Sequence, residues 1–307
     1  MDTTGAGGGP RVAFIGLGTM GRPMARRLLA GGCDLAVFDT APAAMRPLLD
    51  AGARAAASPA DAARRADFVI TMLPDGRRVL EATTGPTGAL SGAPPGSVLI
   101  DMSTVDPATS RAVAFEAERE GVRMLDAPVS GSSAGAVDGS LTIMVGGSAE
   151  VLDRSRRLLS LLGGKIVHCG ATGMGTTVKL ANQVMAGISM VAVAEGFRLS
   201  QALGVDLRLL HEVTTSSSGD SWPLRTRPPV PGVLAAGPAD HDFEPGFRSD
   251  LMRKDLELAL SAAVDAGLDL PLTSAARHLY ARLGPAGLGH KDFSAVISVL
   301  PRRIDGT

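Results

Sequence analysis

The sequence predicts an α/β fold: a doubly wound sheet over residues 1–172, with 1–10 as a flexible tail, and then an all-helical domain over 173–307. Three observations predict it. Short apolar runs alternate with helical patterns in the first part of the chain, which is typical of βαβ units in a parallel sheet. From Gly173 onward the strand patterns stop, and apolar residues recur at helical spacing. A chain of 307 residues is also long for a single core.

Composition excludes several classes of protein. Hydrophobic residues make up 45% of the chain and the formal net charge is -1, so no basic excess attracts nucleic acid. Charge or glycine interrupts the apolar runs before they reach the ~20 residues of a membrane span. Cys33 and Cys169 are too few for a disulfide framework, and the N-terminal residues lack a signal or transit pattern. We therefore expect a cytoplasmic protein with no nucleic-acid or membrane partner.

The first strand pattern, residues 12–15, runs into a glycine turn. Gly16, Gly18 and Gly21 have the spacing G-x-G-x-x-G, and a helix is expected to start at Thr19. In such a Rossmann-type turn the glycines allow a tight bend, a close backbone approach to a pyrophosphate, and close packing of helix on sheet. The N–H groups of the helix start then face the phosphates. The predicted contacts of a dinucleotide are Gly16, Leu17, Gly18, Thr19, Met20 and Gly21.

The second strand pattern, residues 35–38, ends in Asp39. This position lies about 20 residues after the glycine turn, where an acidic side chain hydrogen-bonds a ribose 2′-hydroxyl. Asp39 could instead cap the next helix, and the two roles are compatible. Because a carboxylate repels a 2′-phosphate, the sequence favours NAD over NADP as the cofactor.

The remaining elements follow the same patterns. Further strands are expected at 67–73, 98–102, 122–125, 141–145 and 166–168, with helices at 60–66, 107–120 and 149–162. One long helix is expected over 175–203 and joins the two domains. Shorter helices are expected near 206–216, 249–266 and 272–283, with a proline-rich loop at 227–232.

A turn rich in hydroxyl groups and glycine, residues 126–135, leaves the strand predicted at 122–125. Open α/β sheets bind ligands at the carboxyl ends of their strands. Ser130, Gly131 and Ser132 offer hydroxyl and backbone N–H groups that suit a small carboxylate. The alternative is a plain serine-glycine turn.

Lys179 lies in the first turns of the long helix. A lysine there either extends its ammonium to solvent or holds it inside, beside polar groups. Asn182 and Gln183 follow three and four residues later, so they can share its face of the helix. Such a face can hold a hydroxyl or carbonyl oxygen while Lys179 gives or takes a proton.

Two further candidates lie in the helical domain. Lys254 is a second candidate cation, against the alternative of a solvated helix face. Trp222, the only tryptophan, is either a substrate wall or an aromatic plug. The five histidines have no metal-ligand spacing, so we predict no metal site. A serine hydrolase is excluded because no G-x-S-x-G elbow follows a strand.

Together these residues resemble the β-hydroxyacid dehydrogenase family over nearly the whole chain. The stretches that carry the resemblance are 14–25, 71–74, 100–107, 126–131, 141–147, 173–182 and 254–256. Separate motifs in the family's order are more specific than a glycine turn alone. The stretches 217–222, 229–233 and 291–294 resemble its 3-hydroxyisobutyrate branch in particular.

The resemblance implies that Lys179 is the catalytic acid/base and that Ser130 and Gly131 hold the substrate carboxylate. It also implies cofactor contacts from Leu73, Pro74, Thr104 and Lys254, to which we add Arg78 and Phe247. The remaining predicted substrate contacts are Ser132, Asn182, Gln183 and Trp222. The cofactor is NAD, the partner a small β-hydroxy acid, and the assembly a homodimer or homotetramer.

Two positions depart from the family's pattern: Gln183 replaces a second asparagine, and Ser132 replaces the last glycine of S-G-G. Both departures bear on the choice of substrate. The expected activity is NAD-dependent oxidation of 3-hydroxyisobutyrate to methylmalonate semialdehyde. The alternatives are reduction of another small aldehyde acid (tartronate or succinic semialdehyde) or of an imine, and a non-catalytic NAD-binding sensor or scaffold.

Overall fold

The structure is a computed structural model that describes residues 9–300. Most of the predicted tail therefore lies outside the described residues. The chain divides into two compact units, the first running through Lys179 and the second starting at Leu180. The division falls inside the long helix, and the domain boundary predicted after residue 172 stays a prediction.

The first unit is built on a sheet that has nine strands within the described residues. They are β1 (Arg11–Ile15), β2 (Asp34–Phe38), β3 (Arg54–Ala55), β4 (Phe68–Thr71), β5 (Val98–Asp101), β6 (Arg123–Asp126), β7 (Val129–Ser130), β8 (Thr142–Gly146) and β9 (Lys165–Gly170). The strand order is β3-β2-β1-β4-β5-β6-β8-β7, and β9 also pairs with β8. The predicted α/β class is confirmed.

The helices of this unit are α1 (Gly21–Ala30), α2 (Pro42–Leu49), α3 (Pro59–Ala63), α4 (Gly76–Thr83), α5 (Ala89–Gly92), α6 (Pro107–Arg119), α7 (Ser132–Asp138) and α8 (Ala149–Leu159). Three of them begin at proline, whose fixed φ suits the first turn of a helix. Asp106 caps α6 by accepting the backbone N–H of Thr109 at 2.8 Å.

The sheet is mixed, whereas the sequence predicted a parallel one. The strands from β1 to β6 pair in parallel, but β8 runs antiparallel to both β6 and β7. The connection from β7 to β8 through α7 is shorter than the dozen or more residues that a parallel crossover needs. The chain therefore reverses direction between β7 and β8, as in a hairpin. This reversal follows Ser130, Gly131 and Ser132, which we call the serine-rich turn.

Alternate residues of β1 enter two different hydrophobic clusters. Val12 and Phe14 belong to one, while Ala13 and Ile15 belong to the other. Because successive side chains of a strand point to opposite faces, both faces of the sheet are buried. This burial explains the uninterrupted apolar runs of the central strands.

The second unit is helical in its described residues. The long helix α9 (Met174–Ala202) crosses into it and is followed by α10 (Leu207–Thr215), α11 (Trp222–Thr226), α12 (Ser249–Asp265) and α13 (Pro271–Leu283), with 3-10 turns at Pro238–His241 and Phe293–Val299. Its core includes Met190, Phe197, Leu256 and Tyr280. The predicted helices at 175–203, 206–216, 249–266 and 272–283 agree within a residue or so.

Helix α9 is long and apolar enough, by length and composition, to cross a membrane. The expectation that every apolar run is too short for a span is therefore wrong for this helix. Met190, Ala194 and Phe197 of α9 are buried in the core of the second unit. This packing accounts for the apolar residues on the buried side of α9, whereas others, such as Met185 and Leu199, are exposed.

Candidate active site

The glycine turn between β1 and α1 has the close contacts that its sequence predicts. Gly16 has φ +95°, and a Cβ there would collide with the carbonyl of Met72. A Cβ on Gly21 would collide with the carbonyl of Gly16 and crowd the Phe14 ring of β1. Among the described residues, no heavy atom lies within 4 Å of where a Cβ on Gly18 would be. The turn thus leaves open backbone at Gly18, as a pyrophosphate requires.

Helix α1 begins at Gly21 and not at Thr19 as predicted. Residues 18–20 form the turn, closed by the N–H of Arg22, which donates to the carbonyl of Gly18 at 3.1 Å. Thr19 is exposed and Met20 is partly buried. The anion-binding N–H groups of a helix start lie here.

Asp39 holds the turn from the end of β2. Its Oδ2 accepts the N–H of Leu17 at 2.7 Å, and its Oδ1 accepts that of Ala41 at 2.8 Å. Helix α2 is capped by Ala41, so Asp39 does not take the N-cap position considered above. The Leu17 side chain is buried in the core, which leaves its backbone to face the turn. Each carboxylate oxygen keeps a second lone pair for a ribose hydroxyl.

Buried polar groups join the ends of β4 and β5. Thr71 Oγ1 and the N–H of Ser103 both donate to Asp101 Oδ1, at 2.8 and 3.1 Å. Ser103 Oγ in turn accepts the N–H of Leu73 at 2.9 Å. Burial raises the pKa of Asp101, and the Asp126 carboxylate raises it further, against the hydrogen bonds from Ser103 and Thr71.

This network fixes the segments that carry the predicted cofactor contacts of the first unit. Leu73 and Pro74 follow β4, and Thr104 follows β5, at the edge of the sheet where the glycine turn follows β1. Arg78 is exposed in the first turn of α4 and pairs with Glu81 at 3.0 Å. Apart from Arg78, which lies on α4, these predicted contacts therefore lie on loops after neighbouring parallel strands.

The serine-rich turn has an unusual backbone. Gly131 has φ +140°, and Ser132 has φ +60°. The left-handed region costs a side chain about 1–2 kcal/mol relative to its usual conformation, a cost that glycine does not have. Ser132 therefore keeps the backbone that the family's glycine suits, and carries a hydroxyl on it.

Asp126 connects this turn to the helix that carries Lys179. It ends β6, four residues before Ser130, and its carboxylate caps the start of α9. Oδ1 accepts the N–H of Gly173 at 2.7 Å and Oδ2 that of Thr176 at 2.8 Å. Burial raises the pKa of Asp126, while these backbone hydrogen bonds lower it. The carboxylate of Asp126 thus holds the start of the helix that carries Lys179, from a position four residues before Ser130.

The Lys179 side chain is 5% exposed. Of the two placements open to it from the sequence, burial is the one found. Lysine is almost never fully buried without polar partners, so the site around it is polar.

In the second unit, a chain of polar side chains joins α9 to α12. Asn182 Nδ2 donates to Gln183 Oε1 at 3.1 Å, and Gln183 Nε2 donates to Asp255 Oδ2 at 2.7 Å. Lys254 Nζ lies 3.3 Å from the other oxygen of Asp255. Gln183 is almost fully buried. Its extra methylene, relative to the family's asparagine, is used to reach Asp255.

Trp222 and Phe247, the aromatic candidates, both pack on Phe293. Trp222 opens α11 and stacks on Phe293 with 6.4 Å between ring centroids. Phe247 meets the same ring edge-on at 6.0 Å. Ser216, Ser217 and Ser218, which precede α11, are exposed, whereas Ser221 beside Trp222 is partly buried.

Sequence reasoning missed the carboxylates that hold these groups. Asp101 and Asp126 each end a buried apolar strand, and a charge at that place is a signal that could have been used. Asp255 and Asp292 lie in polar surroundings in the sequence, and only the structure shows what they bind.

The chain is similar to known dehydrogenases in both sequence and fold. The mitochondrial 3-hydroxyisobutyrate dehydrogenase of Bos taurus is 42% identical over 94% of this chain and 86% of its own length. The NAD-dependent L-serine dehydrogenase of Pseudomonas aeruginosa is 42% identical over 93% of this chain and 96% of its own. A structure of Mycobacterium tuberculosis 3-hydroxyisobutyrate dehydrogenase with L-serine aligns with a TM-score of 0.90 and 40% identity, over 95% of this chain and 99% of that one.

The glycine turn, Asp39 and the buried lysine define an NAD(P)-binding oxidoreductase. A family model described as the NAD binding domain of 6-phosphogluconate dehydrogenase matches residues 11–170. A second, described as NAD-binding of NADP-dependent 3-hydroxyisobutyrate dehydrogenase, matches 173–300. The chain belongs to the β-hydroxyacid dehydrogenase family.

Proposed function

We propose that this enzyme oxidises 3-hydroxyisobutyrate to methylmalonate semialdehyde with NAD. The observation that carries the proposal is the burial of Lys179 on a helix whose start Asp126 holds. The relatives that are 3-hydroxyisobutyrate dehydrogenases, at 40–42% identity over most of the chain, support the choice of acid.

Each residue of the first unit has a defined task in this mechanism. Ser130 Oγ and the backbone N–H groups of the turn bind the carboxylate of the acid. Bound NAD would supply the oxidant, as acceptor of the hydride that the hydroxyl-bearing carbon loses when the alcohol becomes the aldehyde. Neutral Lys179 takes the hydroxyl proton at Nζ, so the oxygen does not accumulate charge. In the reverse direction the ammonium of Lys179 returns that proton.

The cofactor contacts are proposed from the loops after the strands. The open backbone at Gly18 and the N–H groups at the start of α1 receive the pyrophosphate. Asp39 accepts hydrogen bonds from the ribose hydroxyls of NAD. Its carboxylate would repel the 2′-phosphate of NADP. Leu73, Pro74, Arg78 and Thr104 of the first unit, and Phe247 and Lys254 of the second, complete the proposed set.

L-Serine is a second candidate substrate, because one relative is named for its oxidation and a similar structure contains it. Serine carries an ammonium where 3-hydroxyisobutyrate carries a methyl group. Among the proposed substrate contacts, Ser132, Asn182 and Gln183 are polar and Trp222 is apolar. We favour 3-hydroxyisobutyrate because several relatives that match most of the chain are named for it, whereas one is named for L-serine.

The acid/base role is tested by Lys179→Ala. We expect kcat to fall about 10²- to 10⁴-fold, the usual loss for a missing general acid/base. Lys165→Ala, at the exposed start of β9, is the matched control and should leave kcat unchanged. A Lys179→Ala enzyme within a few-fold of the wild-type rate in single-turnover assays would contradict the assignment.

The substrate is tested by kcat/KM on 3-hydroxyisobutyrate, L-serine, 3-hydroxypropionate, glycerate and 4-hydroxybutyrate. We expect kcat/KM for 3-hydroxypropionate, which lacks the methyl group, to be lower than for 3-hydroxyisobutyrate by about 10-fold or more, as for one methyl group lost from an apolar contact. If L-serine gave the highest value, serine would replace 3-hydroxyisobutyrate in the proposal. Absence of turnover on the whole panel would favour a binding module.

The assembly and location are proposals of the same kind. We propose a cytoplasmic homodimer or homotetramer, because large apolar side chains such as Met185, Leu199 and Leu203 of the second unit are exposed. Sedimentation of the purified enzyme tests this, and a monomer at all concentrations would contradict it.

A further inference from the structure

An ion pair lies inside the second unit, between Arg227 at the end of α11 and Asp292. Arg227 Nη1 is 2.9 Å from Asp292 Oδ2, and the side chains are 15% and 0% exposed. Removing two charges from water costs several kcal/mol each, so stability alone is a weak reason to bury such a pair. A role in positioning its neighbours is the better explanation.

Asp292 binds the segment that contains Phe247. Its Oδ2 accepts the N–H groups of Gly246 and Phe247, each at 3.1 Å, beside the guanidinium. The other oxygen accepts the hydroxyl of Ser294 at 2.8 Å. The N–H of Phe293 donates to the carbonyl of Phe247 at 2.9 Å. The segment around Phe247 is thus fastened to Asp292 and the residue that follows it.

Arg227 contacts Trp222 as well as Asp292. Its guanidinium carbon lies 5.7 Å from the centre of the indole ring, within the range of a cation–π interaction. The backbone N–H of Arg227 donates to the carbonyl of Pro223 at 2.8 Å, and this bond holds Arg227 against the turn of α11 that carries Trp222. One guanidinium therefore joins the indole to the buried carboxylate.

Trp222 is held on one side and open on the other. Phe293, Arg227 and Phe247 are buried or partly buried, whereas Trp222 is 54% exposed. A large aromatic side chain left open while its inner contacts are fixed provides a rigid apolar surface for a ligand.

We propose that Arg227 and Asp292 are positioning residues of this enzyme. Arg227 fixes the orientation of Trp222, a proposed contact of the acid, and Asp292 holds both Arg227 and the segment of Phe247, a proposed contact of the cofactor. The proposal rests on the proposed function in so far as it assigns Trp222 to the acid and Phe247 to NAD.

The two residues should therefore differ in which Michaelis constant they change. Arg227→Lys keeps the charge but loses the planar group that lies on the indole. We expect the KM for the acid to rise about 3- to 30-fold, the range of a cation–π interaction, with the KM for NAD unchanged. Asp292→Asn loosens both segments, so we expect both constants to rise.

Trp222 emission provides a measurement that needs no turnover. Because Trp222 is the only tryptophan, the fluorescence of the intact enzyme reports on this side chain alone. Arg227→Lys should shift the emission maximum to longer wavelength as the indole gains water, with an unchanged far-ultraviolet circular dichroism spectrum. This shift would remain measurable even if no hydroxy acid were oxidised, so it separates failure of this inference from failure of the proposed function.

Arg225→Lys is the matched control, because Arg225 lies on the same short helix and pairs with Asp220 at the surface. It should leave the emission and both Michaelis constants at wild-type values. Gly246→Ala is a second, independent variant, since a Cβ there would strike the guanidinium of Arg227. It should reproduce the emission shift of Arg227→Lys without removing either charge, and it serves if Asp292→Asn does not fold.

Two results would overturn the inference. One is a folded Arg227→Lys enzyme with wild-type emission and a wild-type KM for the acid. The other is an equal rise of both Michaelis constants in Arg227→Lys, which would make the ion pair a general support of the unit.

Discussion

The carboxylates Asp39 and Asp126 of the first unit are held in a different way from Asp255 of the second. In the first unit, Asp39 and Asp126 accept hydrogen bonds from backbone N–H groups on both oxygens. In the second unit, Asp292 also accepts backbone N–H groups, whereas Asp255 binds the side chains of Gln183 and Lys254. The first arrangement fixes the path of the chain, and the second fixes the directions of functional groups.

This difference has a consequence for substitution. A backbone N–H stays in place when its acceptor is lost, so it is left buried without a partner, which costs about 1–3 kcal/mol. A side chain that loses its partner can rotate toward water or another group. Loss of a carboxylate that holds backbone, such as Asp126, should therefore reduce both stability and turnover, whereas loss of Asp255 should mainly raise Michaelis constants.

Among the substitutions that test this comparison, the largest effect is expected for Asp126→Asn. The amide offers one acceptor where the N–H groups of Gly173 and Thr176 need two, so the start of α9 loses a hydrogen bond. Unfolding should become easier by about 1–3 kcal/mol. Because Lys179 lies in the next turn of the helix, kcat should fall at least about 10-fold, the equivalent of ~1.4 kcal/mol.

Thermal unfolding and steady-state kinetics measure both parts of this prediction. Asp153→Asn, at an exposed position of α8, is the control. If Asp126→Asn lost activity but kept the wild-type unfolding free energy, this carboxylate would act on function alone. The distinction between backbone-held and side-chain-held carboxylates would then fail.

Asp39→Asn tests a backbone-held carboxylate that also faces a ligand. Removal of its charge should lower the preference for NAD over NADP, measured as the ratio of kcat/KM values, by about 10-fold. Asp34→Asn, at the exposed start of the same strand, should not change the ratio. A wild-type enzyme that prefers NADP would show that Asp39 does not select the cofactor.

Asp255→Asn tests the side-chain-held type. The Lys254 ammonium loses its charged partner, and the Gln183 amide loses a charged acceptor. We expect Michaelis constants to rise about 3- to 10-fold, as for one or two hydrogen bonds, with a small change in the thermal midpoint. Asp265→Asn, at the exposed end of α12, is the control. A loss of stability as large as that of Asp126→Asn would remove the distinction.

The smallest effect is the pH dependence that Asp101 contributes. Because burial raises the pKa of Asp101, the folded state binds this proton more tightly than the unfolded state. Its contribution to stability is therefore full at pH values below the ordinary aspartate pKa and is lost as the pH rises through the raised pKa. Asp101→Asn keeps an oxygen for Thr71 and Ser103.

The variant should thus lose less stability than the wild type between acidic and neutral pH. The unfolding free energy measured across that range decides the matter. If the unfolding free energy of Asp101→Asn changed with pH as steeply as that of the wild type, the pH dependence would belong to other groups, Asp126 among them.

The sequence predicts the elements that local patterns determine. Helix α12 was expected at 249–266 and is found at Ser249–Asp265, because its apolar positions repeat with the period of a helix. The turn at Gly16 and the position of Asp39 after β2 follow from a motif of fixed spacing, whereas the hydrogen bond from the Leu17 N–H to Asp39 was not predicted. The two-residue strand β7 and the antiparallel direction of β8 were not predicted, since such short elements depend on packing with distant parts of the chain.

The predictable part of the site has the same limit. Lys179 and the Ser130 turn are apparent in the sequence, whereas Arg227 and Asp292 are 65 residues apart and Gln183 and Asp255 are 72 apart. No local pattern relates such pairs. In particular, Gln183 could be noted as a departure from the family, but its partner could not be foreseen.

Ser132 shows how one backbone angle limits what a sequence can become. With φ +60°, its position accepts glycine or asparagine readily, serine at some cost, and β-branched residues hardly at all. In a library of all substitutions at this position, glycine and asparagine should give the most folded protein, and valine and isoleucine the least. The backbone conformation therefore restricts which residues can occupy this position of the proposed acid-binding turn, whichever substrate the enzyme uses.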